Sequence, residues 1–392
     1  MTRHSRRSTA RLGFLLLLAA ASLWCIPPVG AQEYYPPVAD PASLAGTVTV
    51  NASTLQSILD RLDTLEARMQ KEEQDSGWFD TSGQKFKNKI GGRIMGDYVL
   101  FPHQDSASLA RFGDIQNYAE FRRMRIFFSG EGYGVFIYKF DLGFEPEGLN
   151  PNDGQSGVAI KDMYIGAKEV PWLGRIELGS VKEPYSLEML TSSKYIKFME
   201  RAMPVGFRPT RRVGFRAKNH TADQSILVHW GVFFDDVDDI EHEAIGDNQG
   251  LSLIGRLVTT PYYCQDGRYL VHLGVMGAWS DDRDNQVRFR TRPETHEGPR
   301  LVDSGTIAAD TYYDMGFQGA VVWGPASVQS EVFYKRVLGA TQDYDFYGAY
   351  VFASYFLTGE HRTYKRQNGY FDRIHPLTNL WFVRTADGLD VG

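Results

Sequence analysis

The chain has 392 residues, a formal net charge of −6, 39 Gly and an aromatic content of 13%. An acidic balance without a basic tail argues against a nucleic-acid partner, and two cysteines in so long a chain exclude a disulfide-built scaffold. No apolar run after the first 31 residues reaches the ~20 residues of a membrane helix.

Residues 1–31 read as a secretory signal. Arg3, Arg6, Arg7 and Arg11 precede the apolar run Leu12 to Trp24, and Val29-Gly30-Ala31 supplies small residues for cleavage before Gln32. Removing the signal takes away four Arg and no acid, so the formal charge moves from −6 to −10. Cys25 leaves with it, and Cys264 then has no internal disulfide partner. Residues 32–51 form a Pro-containing linker. Over 52–73, Leu55, Ile58, Leu62, Leu65 and Met69 step by three and four, the spacing of a heptad seam. Two heptads do not hold alone, so the segment is either a short coiled coil joining subunits or an amphipathic helix lying on the domain.

Residues 84–392 read as one β domain. From Asn88 the period becomes two: Ile90, Ile94 and Tyr98 share a face, with Arg93 and Asp97 on the other. Met124, Ile126 and Phe128 alternate with Arg123, Arg125 and Ser129, and Phe136, Tyr138 and Phe140 with Ile137, Lys139 and Asp141. Nine further strands are expected at 158–168, 174–181, 212–218, 225–234, 251–260, 268–280, 311–323, 326–336 and 345–357, about twelve in all. Alternation alone fits a soluble sandwich as well. Strands of ~10 residues with aromatic ends, tight turns at Gly130 to Gly134 and Trp323 to Ser327, and long polar loops elsewhere point instead to an outer-membrane barrel. On that reading Arg93, Arg123, Arg125, Lys139 and Asp141 face the lumen, because a Lys or Arg on the lipid face near the midplane costs about 2–4 kcal/mol. Such a row passes anions from site to site, or pairs with acids to stiffen the wall. Arg122 shares parity with Met124 and Ile126, which puts it near the rim.

One stretch stands out. Val181 to Lys218 carries nine Lys or Arg against three Glu, and Pro184, Pro204 and Pro209 keep it from forming one regular element. Lys182, Ser192, Ser193, Lys194 and Arg201 combine charge with the hydroxyl donors that oxyanions accept. A loop at about 182–212 folded into the barrel is the expected constriction. The acidic run 235–247 has no calcium-loop spacing and reads as a solvated external loop. The His are scattered without metal-ligand spacing, and no Ser/His or paired-acid spacing singles out a catalytic site. Neither an enzyme activity, a cofactor nor a metal is expected.

The runs IGGRIMGDY, AEFRRMRIFFSG, IKDMYIG, GSVKEPYSLEMLTSSKYIKFMERAMP and YFLTGEHRTYKRQNGYFDR cover most of Lys89 to Arg373 in order. They resemble the phosphate-selective porin O and P family. The resemblance implies a homotrimer of sixteen-stranded transmembrane antiparallel β-barrels in outer-membrane lipid, passing phosphate or other small anions. By matching motifs it implies pore roles for Arg93, the pair Arg122 and Arg123, Lys139, Asp162, and Ser192, Ser193 and Arg201 of the constriction loop, with Lys182 and Lys194 as additions. This chain departs from the pattern at Glu188 and Met189, where a selectivity Lys is not found, so a general or sugar-accepting porin using Tyr185 and Tyr195 is the competing expectation. A chain with about twelve strands is expected to be truncated relative to the family.

Overall fold

The computed structural model describes residues 79–80, 83, 85–144, 158–234, 250–282, 285–377, 383–384 and 390–391. The signal segment 1–31, the linker 32–51, the heptad helix 52–73 and the acidic run 235–247 lie outside the described residues.

Period-two alternation gives a pleated chain one apolar and one polar face, and here it yields twelve long strands. These are β1 (Phe86–Val99), β2 (Tyr118–Gly132), β3 (Phe136–Gly143), β4 (Ala159–Val170), β5 (Gly174–Lys182) and β6 (Arg211–His220), followed by β7 (Ile226–Phe233), β8 (Leu251–Cys264), β9 (Tyr269–Asp281), β10 (Ile307–Trp323), β11 (Ala326–Gly339) and β12 (Asp343–Tyr355). Each pairs antiparallel with its neighbour in sequence. Two-residue pairings at Phe79–Asp80 and Gln286–Val287 extend the sheet beside β1 and β10. Among the described residues β1 and β12 do not pair with each other.

Burial decides which face meets lipid. Ile94 on β1 is 75% exposed and Tyr347 on β12 is 76% exposed. Side chains of the opposite parity, such as Arg123, Glu331 and Lys335, are buried. A water-soluble sheet does the reverse, and an exposed apolar belt this extensive needs a nonpolar surrounding. Apolar outside and polar inside is the wall of a transmembrane barrel. No described helix is long and apolar enough to cross a membrane.

The β1–β2 ladder contains a bulge that changes one expectation. Met95 pairs with Arg123 and Asp97 with Glu120, so Phe121 and Arg122 together oppose Gly96. The extra residue resets the parity. Phe121 points outward, and Arg122 lies in the interior at 7% exposure rather than at the rim where strict alternation puts it.

Inside, three connections rest against the strands. Residues 183–210 between β5 and β6 contribute Tyr185, Met189 and Val205 to an apolar cluster with Phe233, Ile254 and Met276 of the wall. Residues 285–306 pack Phe289 edge-on against Tyr312 of β10 at 5.8 Å. After β12 the chain turns back, and Arg362 donates to Gln329 at 2.9 Å while Arg256 of β8 donates to the Gly369 carbonyl at 2.6 Å. Gly348 on β12 leaves room for the first of these connections. A Cβ there would lie 2.6 Å from Cβ of Pro204.

Candidate functional site: a basic cavity narrowed by an inward loop

The 183–210 loop is held at its base and along its first turn. At the base, Arg208 donates to Glu183 at 2.5 Å and to Asp314 of β10 at 2.6 Å, and Lys335 of β11 stands 2.7 Å from the same Asp314. Burial disfavours the Arg208 charge, but Glu183 and then Asp314 outweigh it and hold its pKa above the ordinary value. Breaking a buried pair of this kind typically costs about 3–5 kcal/mol. Just beyond the base, Ser186 caps a short helix (Leu187–Leu190), accepting from the Met189 N–H at 3.1 Å. The helix start sits on Glu331 of β11, which accepts from Ser186 Oγ and the Leu187 N–H at 2.8 Å, the Glu188 N–H at 3.1 Å and Tyr350 Oη at 2.6 Å.

Between this loop and the wall lies a cavity of about 1010 Å³. Its described lining holds seventeen Lys or Arg against five Asp or Glu, so the chain's acidic total is inverted where it encloses space. All eleven residues singled out in the sequence line it: Arg93, Arg122, Arg123, Arg125, Lys139, Asp162, Lys182, Ser192, Ser193, Lys194 and Arg201.

Their local roles differ. Arg93 and Arg125 face each other across the β1–β2 ladder. Asp162 on β4 accepts from Lys139 at 2.5 Å and from Arg211 at 2.6 Å, holding two cations on one carboxylate. Glu200 of the loop pairs with Arg122 and lies 3.5 Å from Arg123. Lys182 donates to the Met189 carbonyl at 2.7 Å, and Arg201 donates to the Glu188 and Thr191 carbonyls at 2.9 and 2.8 Å. These two cations therefore hold the loop's own shape while lining the cavity. Burial, with Arg123 and Arg211 adding to it against the pull of Glu188, takes the Arg201 pKa down to about 10. Lys194 is also lowered, first by burial and then by Arg93 and Lys139. That crowding marks a place where an added anion is stabilised by several cations at once. Met189 is buried in the loop's apolar cluster and is not part of the lining.

Several cavity cations escaped the sequence reading. Arg290, Arg292 and Arg300 come from the 285–306 connection, and Lys365 from the returning segment. The Arg300 pKa is lowered by burial, then by Arg292 and Arg290. The spacing R-x-R over 288–292 was the available signal, but nothing local says that it turns inward.

Apolar strands facing outward around a basic interior narrowed by a folded loop define a porin. Comparison with known proteins narrows the class: the model of the family "Phosphate-selective porin O and P" matches residues 89–379. The chain belongs to that family and is an outer-membrane porin by fold and kinship. It is 27% identical over 326 residues to Porin O of Pseudomonas aeruginosa, covering 76% of this chain and 70% of that one. It is also 29% identical over 270 residues to an uncharacterized protein of Caulobacter vibrioides, covering 66% of this chain and 51%, about half, of the relative. Among solved structures it is similar to the anion-selective porin from Comamonas acidovorans, with a TM-score of 0.44 and 15% identity over 71% of this chain and 76% of that one. A loop L8 deletion mutant of OmpT from Vibrio cholerae gives 0.45 and 11%, over 71% and 80%.

Proposed function

We propose that this protein is a passive pore for phosphate or other small anions, working as a homotrimer after removal of its signal segment. The observation that carries the reading is the crowding of Arg93, Lys139 and Lys194 within a lining of seventeen cations and five acids. Each cation lowers an anion's energy, by about 4 kcal/mol at 4 Å for an effective dielectric near 20, before the cost of stripping the anion's water. Several sites of moderate strength let it enter and leave again. Ser192 and Ser193 supply hydroxyl donors, Arg122 and Arg123 are oriented by Glu200, and Lys182 and Arg201 keep the loop folded. Of the two tyrosines a sugar would need, Tyr195 lines the cavity but Tyr185 is 3% exposed against Phe333 and offers no platform.

The direct test is phosphate block of chloride current in planar bilayers. Saturable block in the wild type, weakened in Arg123→Glu, is expected; a chloride current indifferent to phosphate in both contradicts the proposal.

A further inference from the structure

We infer that Glu120, His296 and Glu297 bind one divalent first-row metal ion, with Zn²⁺ the best match to the donors. Nδ1 of His296 stands 2.7 Å from Oε2 of Glu120 and 3.0 Å from Oε1 of Glu297. One ligand atom from each residue lies within 4.8 Å of the others. Donors held about 2.0–2.2 Å from one tetrahedral zinc ion stand roughly 3.3–3.6 Å apart, so the two side chains must draw back from His296 by a little under 1 Å to admit the ion. One imidazole and two carboxylates are also a donor set that suits zinc better than calcium or magnesium, which favour all-oxygen shells.

A second observation points to a ligand. The Glu120 side chain is 10% exposed, and its Oε1 is buried with no hydrogen-bond partner among the described residues. A buried carboxylate oxygen left in that state is costly, and a cation beside the carboxylate removes the cost. Glu297, in contrast, is 53% exposed, which leaves a side through which an ion enters and where water completes the coordination. The Glu297 N–H donates to Tyr118 Oη at 3.1 Å, holding the connection over β2 in the geometry the site needs.

The ion would tie the connection that carries Arg290, Arg292 and Arg300 to the strand that carries Arg122, Arg123 and Arg125. Cations from both elements would then be fixed around one cavity. Glu120 and His296 are 176 residues apart in sequence, so no spacing motif announces the site. Without a metal the same contacts are a forked hydrogen bond from the Nδ1–H of His296 to the two carboxylates, and the experiment separates the two.

The experiment is calorimetric titration of the chelator-stripped full chain in detergent micelles with ZnCl₂, in phosphate-free buffer. One saturable site per chain is expected in the wild type and in His103→Ala. Affinity is expected to fall at least about tenfold in Glu120→Gln, in His296→Ala, and in Glu297→Gln, whose exposed side chain makes misfolding an inadequate explanation. No saturable binding by the wild type, or binding unchanged in all three variants, overturns the inference.

Discussion

Glu331 of β11 accepts the backbone N–H of Leu187 at 2.8 Å, across 144 residues of sequence. The bond places a wall carboxylate at the start of a loop helix, where the unsatisfied N–H groups and the helix dipole favour negative charge. Glu331→Ala leaves the Ser186 and Tyr350 hydroxyls and two backbone N–H groups facing a buried gap, at about 1–3 kcal/mol for each group that stays unsatisfied. The loop is expected to detach from the wall. Single-channel conductance should rise and phosphate block weaken, while unchanged conductance would show that Glu331 does not hold the constriction.

Glu188 gives the loop a pH dependence. Burial, reinforced by Glu331 and opposed by the Ala202 N–H, pushes its pKa up to about 7. Between its ordinary range and about 7 the folded loop holds a proton that the unfolded chain releases, so docking is favoured at low pH and weakens as pH rises through that value. Glu188→Gln keeps an acceptor for the Ala202 N–H and needs no proton. Hydrogen exchange over 183–210 is expected to speed up between pH 5 and pH 8 beyond the intrinsic pH effect in the wild type, and not in the variant. Equal behaviour of the two rules this group out.

Asp162 restrains two of the cavity's cations. Asp162→Asn removes the negative charge beside Lys139 and Arg211 and makes both available to an anion. Phosphate is expected to block chloride current at a several-fold lower concentration, approaching the roughly tenfold that corresponds to 1.4 kcal/mol. The difference should shrink at 1 M salt, where the screening length falls to about 3 Å. Weaker block in the variant would mean that Asp162 positions Lys139 and Arg211 more than it neutralises them.

Gly348→Val tests how the loop seats on β12. Even the first carbon of a side chain would stand 2.6 Å from Pro204, so the loop must shift or the strand bend, at a cost of about 1–3 kcal/mol. Faster proteolysis within 183–210 with an intact barrel is the expected result, and wild-type resistance would show that the contact relaxes freely.

The strands were legible because bulky outward residues such as Ile94, Ile126 and Phe140 repeat with period two, and lipid allows few exceptions to that repeat. Parity alone places Arg122 near the rim, against the pore role the family motif implies, because a bulge opposite Gly96 breaks strict alternation and has no side-chain signature here. Lys182 and Arg201 were found as basic residues, but their engagement with the carbonyls of Glu188, Met189 and Thr191 depends on the turn of the loop. Arg290, Arg292 and Arg300 went unnoticed because what turns them inward is long-range, including Phe289 against Tyr312.

The most direct test of the central claim is the reversal potential of the reconstituted protein across a KCl gradient, compared with Arg93→Glu and Lys194→Glu. A basic cavity with these residues at its crowded centre predicts a potential on the chloride side for the wild type, moved toward zero by each variant. A wild-type potential at zero or on the potassium side would contradict it.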